Sequence, residues 1–143
     1  VSSCFVMVLA DQVLTFADCA VVPNPSPAQL ADIAAATAES HRLLVGTPPK
    51  VALLSHSTKG SAKNDDVAKV KEAGTILRSM CPELLFEDEL QLDSAIVPNI
   101  AKKKAPSSEV AGNCNVLVFP DLDAGNIGYK LTERLAGAQA IGP

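Results

Sequence analysis

Short apolar runs of strand length alternate along this chain with longer segments whose apolar residues recur at helical spacing. After two such runs near the N-terminus, residues 3–9 and 13–17, the order is helix, strand, helix, strand, helix, strand, helix. Strands that alternate with helices are joined by right-handed crossovers, which give a largely parallel sheet covered on both faces. The order therefore predicts one three-layer α/β/α domain over residues 1–143, with a mostly parallel sheet and an N-terminal β-hairpin.

Capping residues and apolar spacing predict where the elements begin and end. Ser26 followed by Pro27 is typical of a helix N-terminus, and Gly46 is typical of the end of that helix. His41 lies on the apolar face of this helix, which predicts a packed, hydrogen-bonded imidazole. Further strands are predicted over 50–54, 84–90 and 115–119, and further helices from about 64, from 93 with a restart at 98, and from 127 through 138 after a turn over 121–126.

The two N-terminal runs flank a two-residue polar break, Asp11 and Gln12. A hairpin with those two residues as its loop is predicted from this pattern, and its register places Cys4 directly opposite Cys19. Two interpretations of this pair stay open. The thiols are small buried side chains, as free cysteines often are, or they form a redox pair, which is rare in a reducing compartment.

Composition argues against several classes of protein. The formal net charge is -4, and the chain has one Tyr, four Phe and no Trp, whereas nucleic-acid binders need a basic surface and usually aromatic side chains for stacking. No apolar run approaches the roughly 20 residues of a membrane-spanning helix, and no signal-peptide pattern is present. Four scattered cysteines without C-x-x-C and two histidines argue against structural zinc. We therefore expect a cytoplasmic protein with free thiols and without metal, membrane or nucleic-acid partners.

Two polar segments follow predicted strands at the edge of the sheet where ligands of open α/β folds bind. The first, residues 55–63, reads S-H-S-T-K-G-S-A-K and precedes a predicted helix. It supplies hydroxyls, a lysine and a glycine that would let backbone amides approach an anion at a helix N-terminus. It lacks the G-x-x-x-x-G-K-[ST] pattern of a Walker loop. Anion binding and an ordinary capped turn both remain open for this segment.

The second segment covers residues 119–130, where Asn126 could present an amide to a ligand and Lys130 lies one turn further along. The alternative is purely structural. Carboxylates would then cap the helix and glycines would permit close packing, at Asp121, Asp123, Gly125 and Gly128.

Six stretches of the chain, in order, resemble the phosphate acetyltransferase family. They read F-A-D-C-A-V at 16–21, S-T-K-G-S-A at 57–62, L-D-S-A-I-V-P at 92–98, K-A-P at 104–106, F-P-D-L-D-A-G-N-I-G-Y-K at 119–130 and A-I-G-P at 140–143. His56 departs from the family, which usually has an aromatic residue there, so it inherits no role. The resemblance implies an acyltransferase that transfers an acetyl group reversibly between acetyl phosphate and coenzyme A. Coenzyme A is then a substrate, and no tightly bound cofactor is implied.

The resemblance also implies an architecture. Members of this family fold like isocitrate and isopropylmalate dehydrogenases, with two α/β domains around a cleft, and act as homodimers built largely through the second domain. This chain is similar to that second domain. Matching of the motifs implies that the following residues line the substrate cleft, the last by analogy: Ser57, Thr58, Lys59, Gly60, Ser61, Asn126, Lys130 and Cys4.

The same resemblance implies that catalytic residues are missing from these 143 residues. In the family an Asp deprotonates the coenzyme A thiol and a Ser-Arg pair stabilises the transition state. They belong to a D-L-S-R-G segment and an Asp just beyond it, which would follow Pro143. The phosphate-binding arginines of the first domain are also absent, since the arginines present are Arg42, Arg78 and Arg134. We therefore expect an excised domain without turnover of its own.

Three alternatives stay open at this point. A butyryl-specific phosphate acyltransferase would have a similar sequence. Similar domains in some malic enzymes bind acetyl-coenzyme A as regulatory modules. A domain that only mediates dimerisation is the third.

Overall fold

The computed structural model describes all residues 1–143 and contains six strands and five helices. In chain order they are β1 Cys4–Val8, β2 Val13–Ala17, α1 Pro27–Leu44, β3 Val51–Leu54, α2 Asp65–Met80, β4 Phe86–Leu90, α3 Leu92–Ile96, α4 Pro98–Lys104, β5 Val116–Val118, α5 Leu122–Leu135 and β6 Gln139–Ile141. The sheet has the strand order β4-β3-β5-β2-β1-β6. The pairs β2–β5, β3–β4 and β3–β5 are parallel, whereas β1 is antiparallel to β2 and β6. The predicted α/β fold with a mostly parallel sheet and an N-terminal hairpin is confirmed.

Helices cover both faces of this sheet because successive strand residues point to opposite sides. Val51 and Leu53 of β3 pack on one face against α1 and α2, whereas Ala52 and Leu54 face the other side. That second face is covered by α3, by the segment that follows α4, and by α5, whose Tyr129 ring stacks on Phe5 with centroids 4.2 Å apart. The domain thus has three layers, helices, sheet and helices, with one apolar cluster on each face of the sheet. The structure contains no helix with both the length and the hydropathy of a membrane span.

The helix N-termini form where capping residues predict them. The Ser26 hydroxyl accepts from the Gln29 amide, and the Gln29 side chain accepts from the Ser26 amide, which completes a capping box. Asn64 accepts from the backbone N–H of Val67 at 2.9 Å and caps α2. The predicted interruption before Pro98 is also present, since α3 and α4 are separate helices.

The predicted hairpin register is wrong by two residues. Cys4 lies opposite Ala17, not opposite Cys19. The turn lies one residue earlier than predicted. It spans residues 9–12 and is closed by the Leu9 N–H, which donates to the Gln12 carbonyl at 2.9 Å. All four cysteines are free.

The C-terminal boundaries also differ from the prediction. The Asp121 carboxylate accepts from the Ala124 N–H at 2.9 Å and caps α5, so the helix begins at Leu122 and includes the predicted turn. The helix ends at Leu135, because Gly137 adopts a φ of 68° in the left-handed region. Residues 139–141 form β6, an edge strand on β1 that was not predicted.

His41 is fully buried, as predicted, and both its ring nitrogens are partnered. Nδ1 lies 2.8 Å from the Thr15 hydroxyl of β2, and Nε2 lies 2.8 Å from the Thr47 hydroxyl. Burial disfavours the charged imidazolium and lowers the pKa of His41 below its ordinary value. The imidazole therefore links α1 to the sheet in its neutral form.

We expect the free energy of unfolding to fall as the pH is lowered from 7.5 to 5. The pKa of His41 is lower in the folded state than its unfolded value of about 6.5. Its contribution is therefore complete above that value and is lost as the pH falls toward the folded pKa, because the unfolded state binds the extra proton. Urea unfolding at both pH values measures the difference. It should shrink in His41→Gln and persist in His56→Gln, and an unchanged pH dependence in His41→Gln would contradict the assignment.

Candidate functional site

The neighbouring strands β3 and β5 form a topological switch point, where the helices that follow the two strands lie on opposite faces of the sheet. The helix that follows β3, α2, packs on one face, where Val70 and Leu77 meet the strand side chains. The helix that follows β5, α5, packs on the other face, where Tyr129 meets Phe5. The two connections therefore diverge from adjacent carboxyl ends. Such a point leaves a crevice, and ligands of open α/β sheets bind there.

A cleft of about 400 Å³ is present at this point. Its walls come from the end of β3 and the loop after it, from the first turns of α2, and from the loop that connects β5 to α5. The lining residues are Leu54, Ser55, His56, Asp66, Lys69, Val70, Leu92, Phe119, Pro120, Asp121 and Ala124. An apolar floor with a few charged groups is typical of a small-molecule site.

Lys69 links helix α2 to two loops at this edge of the sheet. Its ammonium donates to the Pro120 carbonyl at 2.7 Å and to the Asn24 side-chain oxygen at 3.2 Å. The Leu122 N–H donates to the Pro23 carbonyl at 3.0 Å and joins the same two loops through the backbone. The wall formed by α2 is therefore held against the loop after β5. Sequence reasoning did not single out Lys69, because nothing in its position in α2 distinguishes it from a surface lysine.

The polar side chains of the loop after β3 bond within the protein. Ser57 is fully buried, and its hydroxyl donates to the Glu89 carboxylate at 2.7 Å. The Gly60 N–H donates to the same carboxylate oxygen at 2.8 Å, with Gly60 at a φ of 88° that favours glycine. Thr58 is nearly buried, and its hydroxyl donates to the side-chain oxygen of Gln91 at 3.0 Å. Glu89, itself 3% exposed, thus accepts the hydrogen bonds that the anion-binding interpretation of this loop would give to a ligand.

Lys59 faces the edge strand β4. Its ammonium pairs with Glu87 and lies 3.7 Å from Asp88. Burial raises the pKa of Asp88, although Lys59 and Arg78 oppose that shift. The lysine of the predicted loop is therefore already neutralised by carboxylates. Neither it nor Ser57, Thr58, Gly60 or Ser61 lines the cleft; the loop contributes its first two residues instead.

Asn126 and Lys130 lie on α5 outside the cleft. They border a shallow depression along the exposed side of the helix, with Ile127, Leu131, Arg134 and Leu135. The Asn126 amide donates to the Cys19 carbonyl at 3.1 Å and attaches α5 to the loop after β2. Gly125 packs so closely there that a Cβ would lie 2.1 Å from the Asp18 carbonyl oxygen. The close packing at Gly125 and the Asp121 cap agree with the structural interpretation of this segment.

Asp18 organises the loop after β2. Its buried carboxylate accepts from the Ser3 hydroxyl at 2.6 Å and from the backbone N–H groups of Ala20, Val21 and Val22. Burial alone would raise the pKa of Asp18, but these donors outweigh it and hold the pKa below the usual value.

The half-buried Cys4 lies at the start of β1, opposite the end of β2. Burial raises the pKa of Cys4, and it raises the pKa of Cys19 and of Cys114 to about 12. All three are therefore thiols near neutral pH, and a thiol is a poor nucleophile. No group of three or more His, Cys, Asp or Glu side chains is placed to hold a metal ion.

Three comparisons with known proteins agree. The family model described as phosphate acetyl/butaryl transferase matches residues 1–143. The phosphate acetyltransferase of Clostridium acetobutylicum is 57% identical over all of this chain and 45% of its own length, and that of Treponema pallidum is 52% identical over 99% of this chain and 45% of its own length. A phosphotransacetylase structure from Streptococcus pyogenes superposes with a TM-score of 0.97 at 47% identity, over 99% of this chain and 44% of that one. The chain thus spans about 45% of the length of these two curated relatives.

Proposed function

This chain belongs to the phosphate acetyl/butaryl transferase family, and from that premise we propose that it is one domain, residues 1–143, of an enzyme that transfers an acetyl group between acetyl phosphate and coenzyme A. The observation that carries the proposal is the 57% identity to a phosphate acetyltransferase along the whole chain. The cleft at the β3–β5 crevice supports it, because that is where substrates of an open α/β sheet bind.

The proposal assigns this domain one wall of the substrate site. The residues that line the cleft would face the substrate, and they include Ser55 and His56 from the loop after β3. The residues predicted from the sequence would contribute at the rim or from beneath: Ser57 and Thr58 as buried supports, and Lys59, Gly60, Ser61, Asn126, Lys130 and Cys4 as candidate contacts. Coenzyme A is a substrate in this scheme, and the free thiols of the chain are compatible with a reducing, cytoplasmic location.

A coupled assay on the full-length protein tests the proposal. Acetyl-coenzyme A should form from acetyl phosphate and coenzyme A, with butyryl phosphate as the comparison substrate. A strong preference for butyryl phosphate would favour the butyryl-specific alternative. If the full-length protein binds acetyl-coenzyme A and turns over neither acyl phosphate, the proposal is wrong and a regulatory role replaces it.

The same proposal includes a homodimer, and the exposed side of α5 is its candidate interface. Ile127, Leu131 and Leu135 follow one another at helical spacing and are 58%, 52% and 81% exposed. Apolar stripes of this kind mark interaction surfaces. We expect Leu131→Glu to convert a dimer of the full-length protein into a monomer, measured by light scattering after size exclusion. The same change at an exposed leucine of α1, Leu43→Glu, should leave the dimer intact. A dimer that persists in Leu131→Glu would place the interface elsewhere.

A further inference from the structure

We propose that Lys69 supplies the positive charge with which this cleft binds a phosphate group of an anionic substrate. This inference rests on the proposed function, because acetyl phosphate and coenzyme A both carry phosphate. It assigns a binding role to a residue that the motifs of the chain do not contain.

Both partners of the Lys69 ammonium are neutral oxygens: the Pro120 carbonyl oxygen at 2.7 Å and the Asn24 side-chain oxygen at 3.2 Å. An ammonium has three N–H donors, so these two bonds orient the group and leave one donor for a ligand. Because no carboxylate lies within 4.0 Å of the Lys69 ammonium, its charge is not compensated by an ion pair.

Two other lysines near this end of the sheet show the contrast. Lys59 pairs with Glu87, and Lys104 lies 3.4 Å from Asp93. An anion that binds either of them must first compete with a carboxylate. An anion that meets Lys69 displaces no ion pair, and the half-buried side chain is already held in place, which lowers the entropic cost of binding.

The surroundings of Lys69 are also compatible with an anion. Asp66 and Asp121 are the carboxylates that line the same cleft. Asp121 accepts from the Ala124 N–H and lies at the positive end of α5, whereas Asp66 is exposed in the first turn of α2. Apolar groups line the rest, including Leu54, Val70 and Phe119. A charge beside a low-dielectric wall of this kind attracts an anion more strongly than a charge in bulk solvent does.

The test uses the full-length protein and the substitution Lys69→Met, which keeps the unbranched chain up to the position of Cε and removes the ammonium with its charge. Steady-state kinetics with acetyl phosphate varied in one arm and coenzyme A varied in the other give two KM values. We expect KM for at least one substrate to rise by about tenfold, the size of one hydrogen bond to a charged group, with kcat little changed. The arm that moves identifies the source of the phosphate. Lys69→Arg should restore most of the lost affinity, and Lys71→Met, an exposed site two residues along α2, is the matched control.

A purely structural role for Lys69 would give a different pattern. It would lower thermal stability and leave both KM values unchanged, and that result overturns the inference, as does a fall in kcat alone. The KM for the affected substrate should rise with ionic strength more steeply in the wild type than in Lys69→Met. Salt screens the Lys69 charge, which the variant lacks. If Lys69→Met does not fold, Lys69→Gln keeps an N–H donor for the Pro120 carbonyl and decides the question in the same way. A wild type without turnover overturns the proposed function; an active wild type with unchanged KM values in the variant overturns this inference alone.

Discussion

The 143-residue chain on its own is expected to form no acetyl-coenzyme A above the blank when it is given acetyl phosphate and coenzyme A. Acyl transfer needs a general base within hydrogen-bond reach of the thiol and preorganised donors or cations for the developing negative charge. The cleft offers Lys69 and no arginine. Arg42 instead pairs with Glu39, and Arg78 lies over the Phe86 ring, 4.9 Å from its centroid. A thiolester-absorbance or coupled assay makes the measurement.

The informative control is the full-length protein in the same assay, at the same molar concentration. Calorimetric titration of coenzyme A into the chain then separates two reasons for the lack of turnover. Weak binding means that the chain holds part of the substrate site, and no binding to a folded chain means that the rest of the protein holds most of it. Robust formation of acetyl-coenzyme A by the chain alone would show that the reaction needs no group beyond these 143 residues.

The fold could be predicted from the sequence because apolar periodicity and capping residues indicate its helices and strands. The hairpin register could not be predicted in this way. The alternation of apolar residues in β1 and β2 places Phe5, Met7, Leu14 and Phe16 on one face. A slip of one residue would turn these side chains to the opposite face, whereas a slip of two keeps them there. The pattern therefore could not distinguish Ala17 from Cys19 as the partner of Cys4. The turn decides, through the single backbone bond that closes residues 9–12.

The sequence singled out residues 57–61 of the loop after β3 as substrate contacts, whereas the residues of that loop that line the cleft are Ser55 and His56. Spacing identifies polar residues after a strand, yet it does not show whether they face a ligand or a buried group of the same chain. Here the carboxylate of Glu89, the fourth residue of the edge strand β4, accepts hydrogen bonds from the Ser57 hydroxyl and the Gly60 N–H. The acidic run 87–89 was the available signal, since a loop rich in hydroxyls beside a buried carboxylate will bond to it. Lys69 left no such signal, because its partners come from loops 45 and 51 residues away in the sequence.

Replacement of Gly125 by alanine is expected to lower the free energy of unfolding by about 3 kcal/mol, because a Cβ cannot be accommodated where α5 meets the loop after β2. That Cβ would lie 2.1 Å from the Asp18 carbonyl oxygen, and the obstacle is backbone held by the four donors to the Asp18 carboxylate. The first turn of α5 would have to move, and with it the cleft wall at Phe119 and Ala124.

Gly128→Ala is the matched control for Gly125→Ala, since both sites lie within α5 and both gain about 1 kcal/mol of helix propensity. At Gly128 the added Cβ would meet Phe119 Cε1 at 2.8 Å, and this obstacle is the far end of a side chain rather than backbone. We therefore expect Gly128→Ala to change the free energy of unfolding by less than about 1 kcal/mol in urea titrations followed by circular dichroism. The difference between the two variants reports the backbone contact at Asp18 with propensity cancelled. Equal effects of the two substitutions would show that the loop after β2 moves as readily as an aromatic ring, and that the close approach of α5 does not hold the cleft wall in place.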